Sequence, residues 1–187
     1  MRKSRINRRL LREARGIEGV TVRDLYEEYP DFMIDVEREQ ELLSAHDVIL
    51  FQHPFYWYSC PALLKEWMDL VLTHGYAYGE DGRALEGKWH GSVLSTGGAA
   101  EAYGVDGYNR FTVRQLLAPF EQTAGLCRMV WMPPFLVQGS FILDDAGLER
   151  HAEDYAAVLR RLGGGNSELV DFSVMERLND WLERRAV

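Results

Sequence analysis

DVILFQHPFYWYSCPALLKEWMDLVL, residues 47–72, decides the fold. Its first six residues, 47–52, include an unbroken apolar run. That pattern fits a parallel strand covered on both faces rather than one with a wet side. The strand ends at His53-Pro54, and four aromatic residues follow without a break: Phe55, Tyr56, Trp57 and Tyr58. Pro61 then opens a helix at a position where a missing N–H costs nothing. Leu63, Leu64, Trp67, Met68, Val71 and Leu72 recur at helical spacing as its buried stripe.

Working outward, strands and helices alternate. Residues 4–15 read as a helix with Ile6, Leu10, Leu11 and Ala14 on one face and arginines opposite. Residues 19–26, GVTVRDLY, alternate and are β-branched, which predicts a short strand. A helix over 36–45 leads into the strand at 47–52. Residues 90–100, HGSVLSTGGAA, give a strand that ends in Ser95-Thr96-Gly97-Gly98, and a helix over 109–125 follows. The last strand is interrupted by Pro133-Pro134, and residues 145–161 form a final helix. The order predicts an α/β sandwich of three layers, a parallel sheet between two helical layers. Both unusual loops, HPFYWYS and STGG, leave strands at the same sheet edge, where ligands of such folds sit.

The chain has 187 residues, 47% of them hydrophobic, and a formal net charge of −8. The acidity argues against nucleic acid as a partner. The basic residues Arg2, Lys3, Arg5, Arg8, Arg9 and Arg12 alternate with apolar positions and form one helix face. Cys60 and Cys127 have no metal spacing, and with no apolar run near the ~20 residues needed to span a bilayer the expected setting is the cytoplasm. His53 reads as a structural histidine. His46, His74, His90 and His151 are scattered and form no metal set. Neither a GxSxG elbow nor a Walker lysine motif is present. GGGNS, 163–167, reads as a linker, and Val174, Leu178 and Trp181-Leu182 predict an amphipathic helix in the tail. Residues 1–162 are therefore expected to form one domain, with 163–187 as linker and tail helix.

Glycine at 97 and 98 lets the main chain approach a flat ligand closely. The aromatic wall offers stacking surface. A flavin ring meets both demands.

QHPFYWYSCPALLKEWMDLVLTHGYAYG (52–79), STGG (95–98) and YPDFMID (29–35) resemble the flavodoxin-like NAD(P)H:quinone oxidoreductases. CPALLKEW, APFEQTAGLCRM and YNRF are similar to the branch that holds the ancillary proteins of the glutathione-gated Kef potassium-efflux systems, closer to its KefG-like than its KefF-like members. The resemblance covers residues 4 to about 161. It implies an FMN-binding homodimer, FMN rather than FAD, with NAD(P)H as electron donor, a quinone as acceptor, and an active site near the dimer interface. Carried over by position, Ser4, Arg5, Ile6 and Asn7 end the phosphate-binding loop. Phe55, Tyr56, Trp57 and Tyr58 line the isoalloxazine ring, and Ser95, Thr96, Gly97 and Gly98 hold its polar edge. Tyr103 matches the tyrosine that faces the substrate. The histidine that follows it by six residues in those enzymes is Asn109 here, which hydrogen-bonds but cannot supply a proton in the same way.

The resemblance also carries a regulatory alternative, a module that activates a Kef-type potassium/proton antiporter from the inner face of the membrane with little turnover. A true electron-carrier flavodoxin fits less well. The family further begins with a strand and a His-Pro loop ahead of the segment matching Ser4. The resemblance therefore implies that the first, central strand of the order 2-1-3-4-5 is missing from this sequence, that the true start lies upstream, and that the chain as written binds FMN poorly.

Overall fold

The computed structural model describes residues 4–164 and 171–182. Helix α1, Arg5–Ala14, is capped by Ser4, whose side chain accepts the Asn7 main-chain N–H. Its Ile6, Leu10, Leu11 and Ala14 are buried, as their spacing predicts. After α2 (Leu25–Glu28) and α3 (Val36–Ala45) comes β1, Val48–Pro54. A short 3-10 turn, Tyr56–Tyr58, leads to α4, Ala62–Val71, with Pro61 at its N-cap rather than at its first helical position. The remaining elements are β2 (Trp89–Ser95), α5 (Val113–Leu116), α6 (Ala118–Leu126), β3 (Val130–Trp131), β4 (Phe135–Val137) and α7 (Asp145–Gly163).

All ladders are parallel. β1 pairs with β2 over seven residues, from Val48 opposite Trp89 to Pro54 opposite Ser95. β3 and β4 share the other edge of β2, interrupted by the two prolines that can donate no ladder bond. One core, around Leu10, Val93, Phe135, Ala152, Tyr155 and Leu159, lies on the face covered by α1 and α7. The other, around Ile49, Phe51, Trp67, Leu94, Leu117 and Phe120, lies under α3, α4, α5 and α6.

Three expectations are corrected. Residues 20–24 form no strand and α2 replaces the end of the predicted one. The alternation is real, since Val20 and Val22 pack on the first core, but a strand also needs a neighbour, and the main-chain groups of residues 21–23 have none among the described residues. The helix predicted over 109–125 is two helices, begun only at Val113. Arg110 stands at φ 60°, outside helical space, and Thr112 with Gln115 forms a capping box. The described part of the tail, residues 171–182, holds no amphipathic α-helix but two 3-10 turns, Phe172–Val174 and Leu178–Trp181, with Val174 exposed. Of the predicted linker, Gly163 ends α7 and Gly164 caps it; residues 165–167 lie outside the described residues.

The tail docks on its own subunit. Phe172, Met175, Leu178 and Trp181 are buried in the first core. Asn179 acts as a one-residue substitute for a neighbouring strand. Its Oδ1 accepts the Leu136 N–H at 2.8 Å and its Nδ2 donates to the Leu136 carbonyl at 3.0 Å. The Leu178 N–H donates to the Pro134 carbonyl. Asn179→Ala leaves both main-chain groups of buried Leu136 unpaired, and each such group costs about 1–3 kcal/mol. The expected loss is about 2 kcal/mol in urea unfolding; a loss under about 0.5 kcal/mol, the level of an ordinary surface change, would show that water replaces the amide.

Candidate functional site

The carboxyl ends of β1 and β2 lie side by side, and the Phe55 N–H donates to the Ser95 carbonyl at 2.9 Å. The two loops singled out in the sequence therefore meet at one sheet edge. Phe55 turns inward and packs on the second core, with its ring edge-on to Tyr58 at 6.5 Å. Tyr56, Trp57 and Tyr58 are exposed, Trp57 to 93%. Trp57 and Tyr58 stand at φ 51° and 59°, two consecutive residues in the left-handed region without being glycine. Backbone of that kind costs on the order of 1–3 kcal/mol per residue and persists where surrounding contacts hold it. One such contact is Tyr58 Oη, which donates to Asn109 Oδ1 at 3.1 Å.

The loop after β2 is held by main-chain bonds. The Thr96 N–H donates to Val137, Ser140 donates back to Thr96, and Gly139 donates to the Gly98 carbonyl. Thr96 Oγ1 donates to the Gly98 carbonyl at 2.7 Å. The N–H groups of Gly97 and Gly98 donate to nothing among the described residues, which leaves two donors at the strand end. A Cβ on Gly97 would stand 2.8 Å from the ring of Phe141.

Tyr103 is half-buried against the second core and Gly98, and burial raises the pKa of its hydroxyl, against a hydrogen bond with Thr96 that lowers it. Asn109 follows in the same loop, its N–H donating to Ala102. The loop depends on Gly107, where a Cβ would stand 2.7 Å from the Ala102 carbonyl group. Gly107 lies in no motif that the sequence displays.

Of Ser4, Arg5, Ile6 and Asn7, only Ser4 and Asn7 reach the same edge among the described residues. Asn7 is wholly buried. Its Nδ2 donates to Ser4 Oγ and to Ser95 Oγ at 2.7 Å, and its carbonyl accepts Gln52 Nε2. Its Oδ1 has no partner among the described residues. Asn7 thus ties the start of α1 to the ends of β1 and β2. Ile6 is core, and Arg5 turns away to the Leu143 carbonyl and Asp145. What α1 presents at the site is its first turn, at whose positive end the Arg5 and Ile6 N–H groups have no partner among the described residues.

His53 stacks on Phe120, with its Nδ1 at 3.0 Å from the Pro54 carbonyl. Burial pushes its pKa down to about 4. Cys60 is half-exposed and burial raises its thiol pKa, the opposite of activation. Among the described residues no group of histidine, cysteine and carboxylate side chains could hold a metal.

A parallel sheet with helices on both faces and two ligand-ready loops at its carboxyl edge defines a class. The match of residues 1–159 to the family described as "Flavodoxin-like fold" agrees, and the chain belongs to that family. Among its relatives is the glutathione-regulated potassium-efflux system ancillary protein KefG of Serratia proteamaculans (strain 568), 53% identical over 154 residues, 82% of this chain and 84% of the relative. Among solved structures, general stress protein 14 of Treponema denticola in complex with FMN is 39% identical with a TM-score of 0.81, covering 86% of this chain and 92% of that one. An NADPH-quinone reductase from P. pentosaceus is 33% identical with a TM-score of 0.74, covering 83% of this chain and 89% of that one.

Proposed function

We propose that the chain is an FMN-dependent NAD(P)H:quinone oxidoreductase. The observation that carries this reading is the pair of free Gly97 and Gly98 N–H donors beside the exposed Tyr56-Trp57-Tyr58 wall, on a fold shared with an FMN complex. The residues present fit the group. The first turn of α1 and Ser4 suit the phosphate, the aromatic loop lies beside the ring, and the 95–98 loop supplies donors to its polar edge. FMN, when bound, supplies hydride transfer from the nicotinamide and two-electron delivery to the acceptor. Tyr103 orients the acceptor oxygen through its hydroxyl. Asn109 has Oδ1 held by Tyr58, so it offers the acceptor an Nδ2 donor and no proton. Trp57, Tyr108, Phe111, Phe141 and Ile142 are exposed apolar side chains, and a second copy of the chain covering them is the dimer this reading expects. This reading goes with a cytoplasmic setting; among the described residues no helix is long and apolar enough to cross a membrane.

A second reading keeps the flavin fold and drops the turnover. Relatives at 53% identity are ancillary proteins of potassium efflux, and Asn109 removes a proton source, so a regulatory subunit of a Kef-type antiporter is favoured on those two observations. One experiment separates the two. The purified chain is mixed with FMN, desalted, and treated anaerobically with NADPH and then a quinone. Retained flavin absorbance that bleaches and then returns supports the reductase. Retained flavin that does not bleach within minutes rejects it, and potassium flux in vesicles holding a Kef-type antiporter, with and without the chain, then tests the regulatory reading.

A further inference from the structure

The tail segment 171–182 lies beyond the matched family residues 1–159, and what it holds is the back of the site. Its Phe172, Met175, Leu178 and Trp181 share the first core with Phe135 and Val137 of β4. Arg161 of α7 anchors its end. Arg161 Nη1 donates to the Trp181 carbonyl at 2.6 Å, and the guanidinium lies 5.2 Å from the centre of the Trp181 ring. Two further ties leave the tail, and each ends on an element that carries a site loop.

The first tie passes through β4. This strand has only three residues, and β2 flanks it through Val93, Leu94 and Ser95. From the tail, Asn179 takes both main-chain groups of Leu136, and the Leu178 N–H takes the Pro134 carbonyl. The residues that follow Leu136 form the bed of the glycine loop. The Val137 carbonyl accepts the Thr96 N–H at 3.0 Å, and the N–H groups of Gly139 and Ser140 donate to the Gly98 and Thr96 carbonyls, each at 2.9 Å. The second tie passes through α5. Arg114 Nη1 donates to the Met175 carbonyl at 3.0 Å. α5 begins at its Thr112 cap, where the loop of Tyr103 and Asn109 ends. That loop is closed by the Gly104 N–H on the Phe111 carbonyl at 3.0 Å and the Asn109 N–H on the Ala102 carbonyl at 2.9 Å.

We propose that Asn179 and Arg114 are positioning residues of the site. With the tail docked, Asn179 fixes the loop of Gly97 and Gly98 through β4, and Arg114 fixes the loop of Tyr103 and Asn109 through α5. One segment thus sets the spacing of the two loops that face the ligand. The inference rests on reading those loops as the flavin and acceptor sites. A three-residue strand and an irregular loop have little stability of their own, and a site is only as well placed as the contacts behind it. A reacting group misplaced by about 1 Å costs on the order of 100-fold in rate.

The test compares amide hydrogen exchange in the full chain, without FMN, among wild type, Asn179→Ala, Arg114→Gln and Leu43→Ala. Leu43 is buried in the second core on α3, and its truncation lowers stability by a cavity while leaving the tail ties in place. Asn179→Ala is expected to speed exchange about tenfold or more at Thr96, Gly139 and Ser140, and Arg114→Gln to do so at Gly104 and Asn109, because local opening is confined to groups that lose their hold. In neither variant should the β1–β2 ladder change as much. Asn179→Asp keeps the shape without the amide donor and gives the same reading if Asn179→Ala does not fold. Unchanged exchange at both loops, or an equal rise at both in Leu43→Ala, overturns the proposal. FMN is then titrated by its fluorescence. Affinity about tenfold weaker in either tail variant supports the positioning role, and since coupling is reciprocal, bound FMN should slow the Met175 and Leu178 amides in wild type. Equal affinity in wild type and both tail variants overturns it. A wild-type chain that binds no FMN rejects the flavin reading instead, and the exchange rates alone then decide whether the tail places the loops.

Discussion

Acidification from pH 7 to pH 4 is expected to remove on the order of 6 kcal/mol of folding stability, through two histidines. His53 and His90 are buried, 3% and 1% exposed, and desolvation pushes the pKa of each down to about 4. The two rings also disfavour each other's charge. His90 is neutral, with Nδ1 at 3.1 Å from the Ile49 carbonyl and its ring edge-on to Phe51. In the unfolded chain both titrate near the ordinary value of about 6.5. Below that pH the unfolded state binds protons that the native state refuses, so their contribution is complete above about pH 6.5 and is lost as pH falls through about 4. Each histidine accounts for about 3 kcal/mol, from a pKa gap of about 2.5 at 1.36 kcal/mol per pKa. Urea midpoints at half-unit steps from pH 7 to 4 measure it. A flat profile between 6.5 and 4.5 would mean the rings are reached by water. In His90→Gln about half of the slope should disappear, whatever that substitution does to stability at neutral pH.

Arg23→Ala is expected to cost about 3–5 kcal/mol at neutral pH, because it strands a buried carboxylate. The side chain of Glu39 is 4% exposed. Its Oε1 accepts Arg23 Nη2 at 2.9 Å and Tyr29 Oη at 2.7 Å, and its Oε2 accepts Trp67 Nε1 at 3.0 Å. This network joins residues 20–24 to α3 and α4, and the only charge opposing that of Glu39 in it is Arg23. The double variant Arg23→Leu with Glu39→Leu should be less damaged than Arg23→Ala alone, because replacing both charges leaves none buried. Equal or greater damage in the double variant would contradict this account. By contrast, the exposed pair Lys65–Asp69 on α4 should be worth no more than about 0.5 kcal/mol.

The parts that were legible in the sequence are those written by period and chemistry together. β1, α4 and α7 carry long apolar patterns with their own stops, and the two loops at the site follow directly from strand ends. What misled was local pattern without a partner. Residues 20–24 alternate like a strand, yet among the described residues no strand pairs with them. Asn109 and Arg110 look compatible with a helix, but the loop turns there on Gly107 and a positive φ at Arg110. Glu39 sits among Glu37, Arg38 and Glu41 in a polar stretch, and nothing nearby marks it as the one acid turned inward to Trp67. Asn179 was equally silent, since its partner is 43 residues away. Of the site, the sequence pointed to the residues at the sheet edge, while the tie between Asn7 and Ser95 required the fold to be seen.

The Asn179 clasp sets the direction in which this molecule can grow. A sheet adds strands at whichever border still offers main-chain donors and acceptors. On the β4 flank that offer is withdrawn by a single amide and by a tail whose rings are sunk in the core, while on the β1 flank the main-chain groups of Val48 and Leu50 have no partner among the described residues. Fibrous or domain-swapped material, where it forms, should therefore nucleate on one side and leave the other inert. A version shortened to the family boundary near residue 159 would lose that asymmetry and become sticky at both borders at once.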